Sequence, residues 1–321
     1  MSVSKVSVVG AGGNVGSIVA YSIAMQGLCH EVILVDRDTE RAKGKALDMN
    51  QAASALRSHS VVRAADSYED IKDSKIVVIT AGFPRKPGMS RDDLLFKNAE
   101  IIDEIVENVK KYAPDSILIV VTNPLDTMTY VALKKSGFPK NRVIGMAGIL
   151  DGARMTHFIY EKLGFGAGQI RATVIGGHGD FMVPLPRYST VAGVPITDLL
   201  IPEELSEIVY LTKNGGAQIV KLLGTSAYFA PGRATAIMVE AILKDSKKIY
   251  PCSTLLEGEY GYHDITNGVP VMLGADGAEK IIELQLTPRE REMFNKSVKS
   301  VQSLLDVLKN SNYFGEEKWE Q

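Results

Sequence analysis

The chain has 321 residues, 45% of them hydrophobic and 23% charged. This is a globular composition, long enough for about two domains of roughly 150 residues each. A formal net charge of −2 leaves no overall basic field to draw in nucleic acid or an anionic membrane. The two cysteines, Cys29 and Cys252, stand far apart, which argues against a disulfide framework or thiolate metal cluster and predicts buried or partly buried free thiols in a reducing compartment.

The apolar runs are strand-length and too short to span a bilayer. Residues 3–9 already read as a strand, so no cleavable leader is expected ahead of the fold. The first half then alternates strand and helix signals. A helix is predicted over 14–26, ending at Gly27, then a strand over 31–36 and a helix over 41–55. A strand over 74–80 leads into a loop at 81–91. A long amphipathic helix follows over 92–112, a strand over 116–121, a helix over 125–136 and a strand over 142–145. Continuous apolar strands alternating with helices predict a doubly wound α/β domain over 1–145, with a parallel sheet covered on both faces.

The second half, 146–321, reads as α+β. Helices are predicted over 151–163, 202–223, 231–248 and 288–308, the last opened by Thr287 and Pro288 as N-cap and first helical residue. Strands are predicted over 171–175, 249–258 and 268–273. Gly274-Ala275-Asp276-Gly277 signals an antiparallel hairpin.

The first strand runs into Gly10-Ala11-Gly12-Gly13-Asn14-Val15-Gly16, and a helix begins inside that turn. The unpaired N–H groups and dipole of a helix start attract an anion, and glycines let the backbone approach a pyrophosphate. Asp36, closing the second strand, can accept both ribose hydroxyls of NAD and would repel the extra phosphate of NADP. Arg37 beside it works against that preference. In open parallel sheets ligands sit beyond the carboxyl ends of the strands. The glycine turn, Asp36, Thr80-Ala81-Gly82 and Thr122-Asn123 all fall at such ends, so they share one edge. Of five histidines, only His178 sits in a glycine-flanked turn.

Four stretches carry a resemblance over nearly the whole chain. They are Thr80-Ala81-Gly82-Phe83-Pro84-Arg85-Lys86-Pro87-Gly88-Met89-Ser90-Arg91, Thr122-Asn123-Pro124, Leu150-Asp151-Gly152-Ala153-Arg154 and Gly177-His178-Gly179-Asp180. The sequence resembles the lactate/malate dehydrogenase family, on its malate branch. The resemblance implies NAD-dependent hydride transfer between (S)-malate and oxaloacetate, with His178 as acid/base, Asp151 orienting it and Arg91 polarising the carbonyl. It also implies Arg154 on the C1 carboxylate, Asn123 orienting substrate or nicotinamide, and a loop over 83–91 closing as a lid. Arg85 is the implied selector, because the lactate enzymes have a neutral glutamine at that place. Oxaloacetate brings a second carboxylate for Arg85, whereas pyruvate would leave it an unpaired buried cation.

The implied cofactor residues are Gly10, Gly12, Gly13, Asn14, Val15, Gly16, Asp36, Thr80, Ala81, Gly82, Asn98, Val121, Thr122 and Asn123. No metal is implied, since a histidine and arginines supply the acid and the electrophile. A homo-oligomer, dimer or tetramer, is expected. The glycine spacing is Gly-x-x-Gly-x-x-Gly, which leaves open whether Gly12 or Gly13 meets the pyrophosphate. Gly177 stands where many relatives carry glutamate, and Gly152 where many carry serine or threonine. Three rival readings are a lactate or broader 2-hydroxy-acid dehydrogenase, a non-catalytic dinucleotide-binding regulator, and an NAD-dependent glycosidase. The last needs a metal site that Cys29 and Cys252 do not fit.

Overall fold

The computed structural model describes residues 4–83 and 91–315, Arg91 through its backbone. Arg85 and most of the expected lid therefore lie outside the described residues. Six parallel strands make one side of a nine-stranded sheet: β1 (Lys5–Val9), β2 (Glu31–Val35), β3 (Val61–Ala64), β4 (Ile76–Ile79), β5 (Ile117–Val120) and β6 (Val143–Gly145). Their spatial order is 3-2-1-4-5-6. β1 pairs with β2 on one side and β4 on the other, so the direction of winding reverses there and a crevice opens at the carboxyl ends.

The connecting helices are α1 (Asn14–Met25), α2 (Thr39–Ala55), α3 (Arg91–Tyr112) and α4 (Leu125–Ser136). Right-handed crossovers on opposite sides of β1 put them on opposite faces. Every side chain of β4 and β5 is buried as a result. The predicted order holds, with one correction: β3 is a strand that the sequence reading passes over. It is an edge strand with exposed Val61 and Arg63, and half-solvated strands lack the continuous apolar run that marks the others.

The sheet does not stop at residue 145. β12 (Lys248–Glu257) pairs antiparallel with β6 at Ser253 and Gly145, and β13 (His263–Gly274) and β14 (Gly277–Ile281) follow as the predicted hairpin. α5 (Gly148–Leu163) begins before the predicted residue 151, so Asp151 lies in its first turn. The predicted strand over 171–175 is two strands in two sheets. β7 (Ile170–Arg171) pairs with β10 (Thr190–Val191), which pairs with β11 (Val194–Pro195). β8 (Val174–Ile175) pairs with β9 (Val183–Pro184). Thr173 between them bonds sideways to Ser189 Oγ and the Tyr188 carbonyl, which ends one ladder before the next begins.

α6 (Pro202–Leu223) matches its prediction. α7 (Phe229–Leu243) stops short of the predicted 248, because Asp245 and Lys247 take positive φ (46° and 51°) and turn the chain into β12. No glycine marks that stop. α8 (Pro288–Asn310) opens with a reciprocal cap: Glu290 N–H donates to Thr287 Oγ1, and Thr287 N–H donates to Glu290 Oε2. Both cysteines are buried free thiols. Burial pushes Cys29 up to about 12, and Cys252 higher still.

Candidate active site

The dinucleotide turn is held from several sides. Gly13 caps α1 without a side-chain partner, so the first-turn N–H groups face outward for an anion. Gly12 donates its N–H to Asp36 Oδ2 at 2.7 Å. A Cβ on Gly12 would lie 2.6 Å from Asp36 Cγ, so this residue must be glycine for the turn to reach the carboxylate. A Cβ on Gly13 would meet only the Gly10 carbonyl at 3.2 Å, and Gly13 is the residue at the helix mouth.

Lys45, which sequence reasoning missed, reaches from α2 to donate to the Gly12 carbonyl at 2.8 Å and to Ser17 Oγ. Burial is the main cause that holds its pKa below the usual lysine value. Thr80 Oγ1 donates to the Val9 carbonyl, and Thr122 Oγ1 to the Ala81 carbonyl at 2.7 Å. Buried Asn98 accepts from Phe83 N–H at 2.7 Å and donates to the Asn123 carbonyl at 2.7 Å. It ties two loop starts together rather than standing free. Beside these residues a cleft of about 490 Å³ is lined by Gly10, Gly13, Asp36, Thr80, Ala81 and Gly82, among others, a size that suits a small-molecule or cofactor site. An uncapped helix mouth above a carboxylate fits a pyrophosphate and a ribose diol. Arg37, expected to counter Asp36, is paired with Glu104 at 2.8 Å on the surface.

The chemistry-bearing side chains come from the other half. α5 starts hard against β8: a Cβ on Gly148 would lie 2.2 Å from the Val174 carbonyl. That close approach sets the first turn of α5 beside the exit of β8, and His178 lies just beyond it. His178 Nδ1 is 2.9 Å from Asp151 Oδ2. Asp151 Oδ1 accepts from Arg154 Nη1, also at 2.9 Å. Arg154 lies against α6, where a Cβ on Gly216 would sit 3.4 Å from Nη2; glycine leaves the guanidinium its room.

Burial alone would push the His178 imidazole down, and Arg154 adds to that. The Asp151 carboxylate and its hydrogen bond outweigh both, with buried Asp126 contributing, so the ring is held above the usual histidine value. A second cleft, about 330 Å³, is lined by Leu94, Asn123, Asp126, His178 and Asp180, among others.

The structure therefore brings together His178, Asp151 and Arg154, and places Asn123 in the cleft that His178 lines. The backbone of Arg91 opens α3; its side chain, and all of Arg85, fall outside the described residues. Asp126, Ser253 and Ser297 surround the histidine turn, and sequence reasoning missed all three. Their partners are remote in sequence, and no local pattern signals them.

A doubly wound parallel sheet with a dinucleotide turn at its switch point, joined to a histidine–carboxylate pair, defines an NAD-binding oxidoreductase fold. Two family models match the chain: lactate/malate dehydrogenase, NAD binding domain, over 4–145, and lactate/malate dehydrogenase, alpha/beta C-terminal domain, over 149–312. The malate dehydrogenase of a Nitratiruptor species is 84% identical, over 98% of each chain. The crystal structure of malate dehydrogenase from Salinibacter ruber superposes with a TM-score of 0.92 at 46% identity, covering 97% of this chain and 100% of that one. A lactate dehydrogenase from Cryptosporidium parvum, complexed with lactic acid and nicotinamide adenine dinucleotide, superposes with a TM-score of 0.92 at 40% identity, covering 97% of this chain and 99% of that one. The chain belongs to the lactate/malate dehydrogenase family.

Proposed function

We propose that this chain catalyses the reversible reaction of (S)-malate with NAD⁺ to give oxaloacetate, NADH and a proton. The observation that carries this reading is the chain of contacts from His178 through Asp151 to Arg154, in a family member 84% identical to a malate dehydrogenase.

The N–H groups of Asn14, Val15 and Gly16 would hold the pyrophosphate, with Gly10, Gly12 and Gly13 shaping the turn and Asp36 placed to accept the ribose hydroxyls. Thr80, Ala81, Gly82, Asn98, Val121, Thr122 and Asn123 line the path toward the nicotinamide. The nicotinamide, when bound, accepts the hydride from C2. His178 takes the hydroxyl proton at Nε2, because Nδ1 is committed to Asp151; in reduction it returns that proton. Asp151 fixes the tautomer and stabilises the imidazolium. Arg154 grips the C1 carboxylate through paired hydrogen bonds, Arg91 stabilises charge on the reacting oxygen, and Arg85 answers the second carboxylate. Residues 1–145 hold the cofactor, and 146–321 supply most of the chemistry.

The same reading makes the protein a homo-oligomer, dimer or tetramer. Tyr210, Leu222, Leu223 and Phe229 on α6 and α7 are 53–75% exposed, and large apolar side chains left open to water supply the contacts of an association surface. A cytoplasmic location is supported by the two unpaired thiols. Among the described residues no helix is long and apolar enough to cross a membrane.

Steady-state NADH oxidation with oxaloacetate and with pyruvate tests the reading. Oxaloacetate should be preferred by about 100-fold or more in kcat/KM, the cost of leaving a buried guanidinium unpaired. Equal use of both acids would point to a broad 2-hydroxy-acid dehydrogenase. NADH binding without absorbance loss would point to a regulator.

A further inference from the structure

Three successive N–H groups of the turn that carries His178 are each bound by a different element. Gly176 N–H donates to the Gly268 carbonyl on β13, Gly177 N–H to Ser297 Oγ on α8, and His178 N–H to Asp126 Oδ2 on α4, each at 2.7 Å. The turn has little room to adjust. Gly176 has φ +86°, and a Cβ on Gly177 would meet Val301 Cγ2 at 3.0 Å and Asp126 Oδ2 at 3.1 Å. Asp126 is itself braced: its Oδ1 accepts from Ser253 Oγ at 2.7 Å, and its carbonyl accepts from Thr266 Oγ1 at 2.7 Å.

We propose that Asp126 and Ser297 are positioning residues: they hold the N–H groups of His178 and Gly177 and so clamp the turn, so that the imidazole meets Asp151 on one side and the substrate on the other. The proposal rests on the reading of His178 as the proton-transfer group. Both carboxylate oxygens of Asp126 are taken up by protein donors, Oδ2 by His178 N–H and Oδ1 by Ser253 Oγ. A carboxylate 3% exposed is costly to bury even when paired, and a well-packed apolar residue would avoid that cost. What an apolar residue cannot supply is the acceptor for the histidine's own N–H. Burial holds the Asp126 carboxyl above its usual value, opposed by the Ser253 hydroxyl and the His178 N–H. In both contacts Asp126 is the acceptor, of His178 N–H and of Ser253 Oγ, so an acceptor is what the clamp uses at that place.

Two references come first. Wild type must turn over oxaloacetate with NADH, and His178→Asn must not; failure of either sinks the catalytic reading and not the clamp. Asp126→Leu removes both acceptors. Asp126→Asn keeps one for His178 and can donate to Ser253 Oγ. With the turn loosened, kcat of Asp126→Leu should fall by about 30-fold or more, the scale of a misplaced catalytic group, while KM for NADH stays within about two-fold. Asp126→Asn should recover to within about five-fold of wild type, since the hydrogen bond survives. Ser297→Ala, a small change that keeps the test standing if Asp126→Leu does not fold, should lower kcat by about five- to ten-fold at unchanged KM for NADH. The clamp is overturned if Asp126→Asn is as impaired as Asp126→Leu, or if folded Asp126→Leu or Ser297→Ala keeps wild-type kcat. A loss confined to the melting temperature, with kcat per folded molecule retained, overturns it too.

Discussion

Asp151 and Arg154, one helical turn apart on α5, are joined at 2.9 Å, while the other oxygen of the same carboxylate lies 2.9 Å from His178 Nδ1. One carboxylate thus binds both the ring proposed to move the proton and the cation proposed to meet the substrate. Arg154 Nε is buried with no partner among the described residues, and an unmade hydrogen bond of this kind is costly until something fills it. In the proposed reading, a substrate carboxylate is the partner that completes this guanidinium.

Asp151→Asn keeps the shape and removes the charge. The carboxylate is what holds the His178 imidazole above its usual value against burial, so the variant's histidine should titrate lower. Malate oxidation needs the neutral ring and is lost as pH falls through that value; oxaloacetate reduction needs the protonated ring and is lost as pH rises through it. Both limbs should therefore move to lower pH, with kcat down by about 10²–10⁴-fold from loss of the orienting acceptor. Rate profiles against pH in both directions check this. Unmoved limbs would separate Asp151 from the histidine's titration.

Arg85→Gln tests the choice of substrate directly. Neutralising Arg85 should shift the ratio of kcat/KM for oxaloacetate over pyruvate toward pyruvate by about 10²-fold or more, as a cation with no anion to meet is removed. An unchanged ratio would show that another group selects the substrate.

At the cofactor end, Asp36→Ser should weaken NADH and admit NADPH. The carboxylate accepts from Gly12 N–H and also from Asp38 N–H, so a smaller hydroxyl loosens the turn while removing the repulsion. We expect KM for NADPH to fall and KM for NADH to rise by about ten-fold each, about 1.4 kcal/mol apiece. Titrating both cofactors under the same conditions measures it. Parallel movement of the two KM values would mean that Asp36 shapes the turn without discriminating.

Gly148→Ala is expected to cost both stability and rate. Its new Cβ would sit 2.2 Å from the Val174 carbonyl and 2.6 Å from Pro251 Cβ, so α5 must shift. Overpacking of this sort costs about 1–3 kcal/mol. Because Asp151 rides on the same turn, kcat should fall as well. Thermal melting together with kcat at a temperature well below the transition separates the two effects. Wild-type kcat in a destabilised variant would mean that the helix start does not set the His178–Asp151 distance.

The sequence is informative where chemistry and local pattern coincide. The glycine turn, Asp36 and the strand ends at Thr80 and Thr122 can be placed on one edge because each closes an apolar run. His178 stands out because glycines flank it. Contacts between distant segments leave no such trace: Lys45 over the turn, Asp126 and Ser297 under the histidine, and Gly216 beside Arg154 depend on how helices land. The start of α5 is hidden for the same reason. The helix begins at Gly148 rather than at Asp151, where closeness to β8 overrides glycine's poor helix propensity. β3 escapes notice because an edge strand needs only one apolar face, and the end of α7 because Asp245 and Lys247 turn without the usual glycine.

Ser253 and Gly145 stitch the parallel strands to the antiparallel ones in a single sheet, so both halves of the chain share one bench. On a shared bench of this kind, the proposed selectivity between acids lies in the few side chains that meet the substrate. A lineage can then trade one acid for another by exchanging those groups and leave the bench alone. That accords with a lactate enzyme and a malate enzyme superposing on this chain with the same TM-score of 0.92.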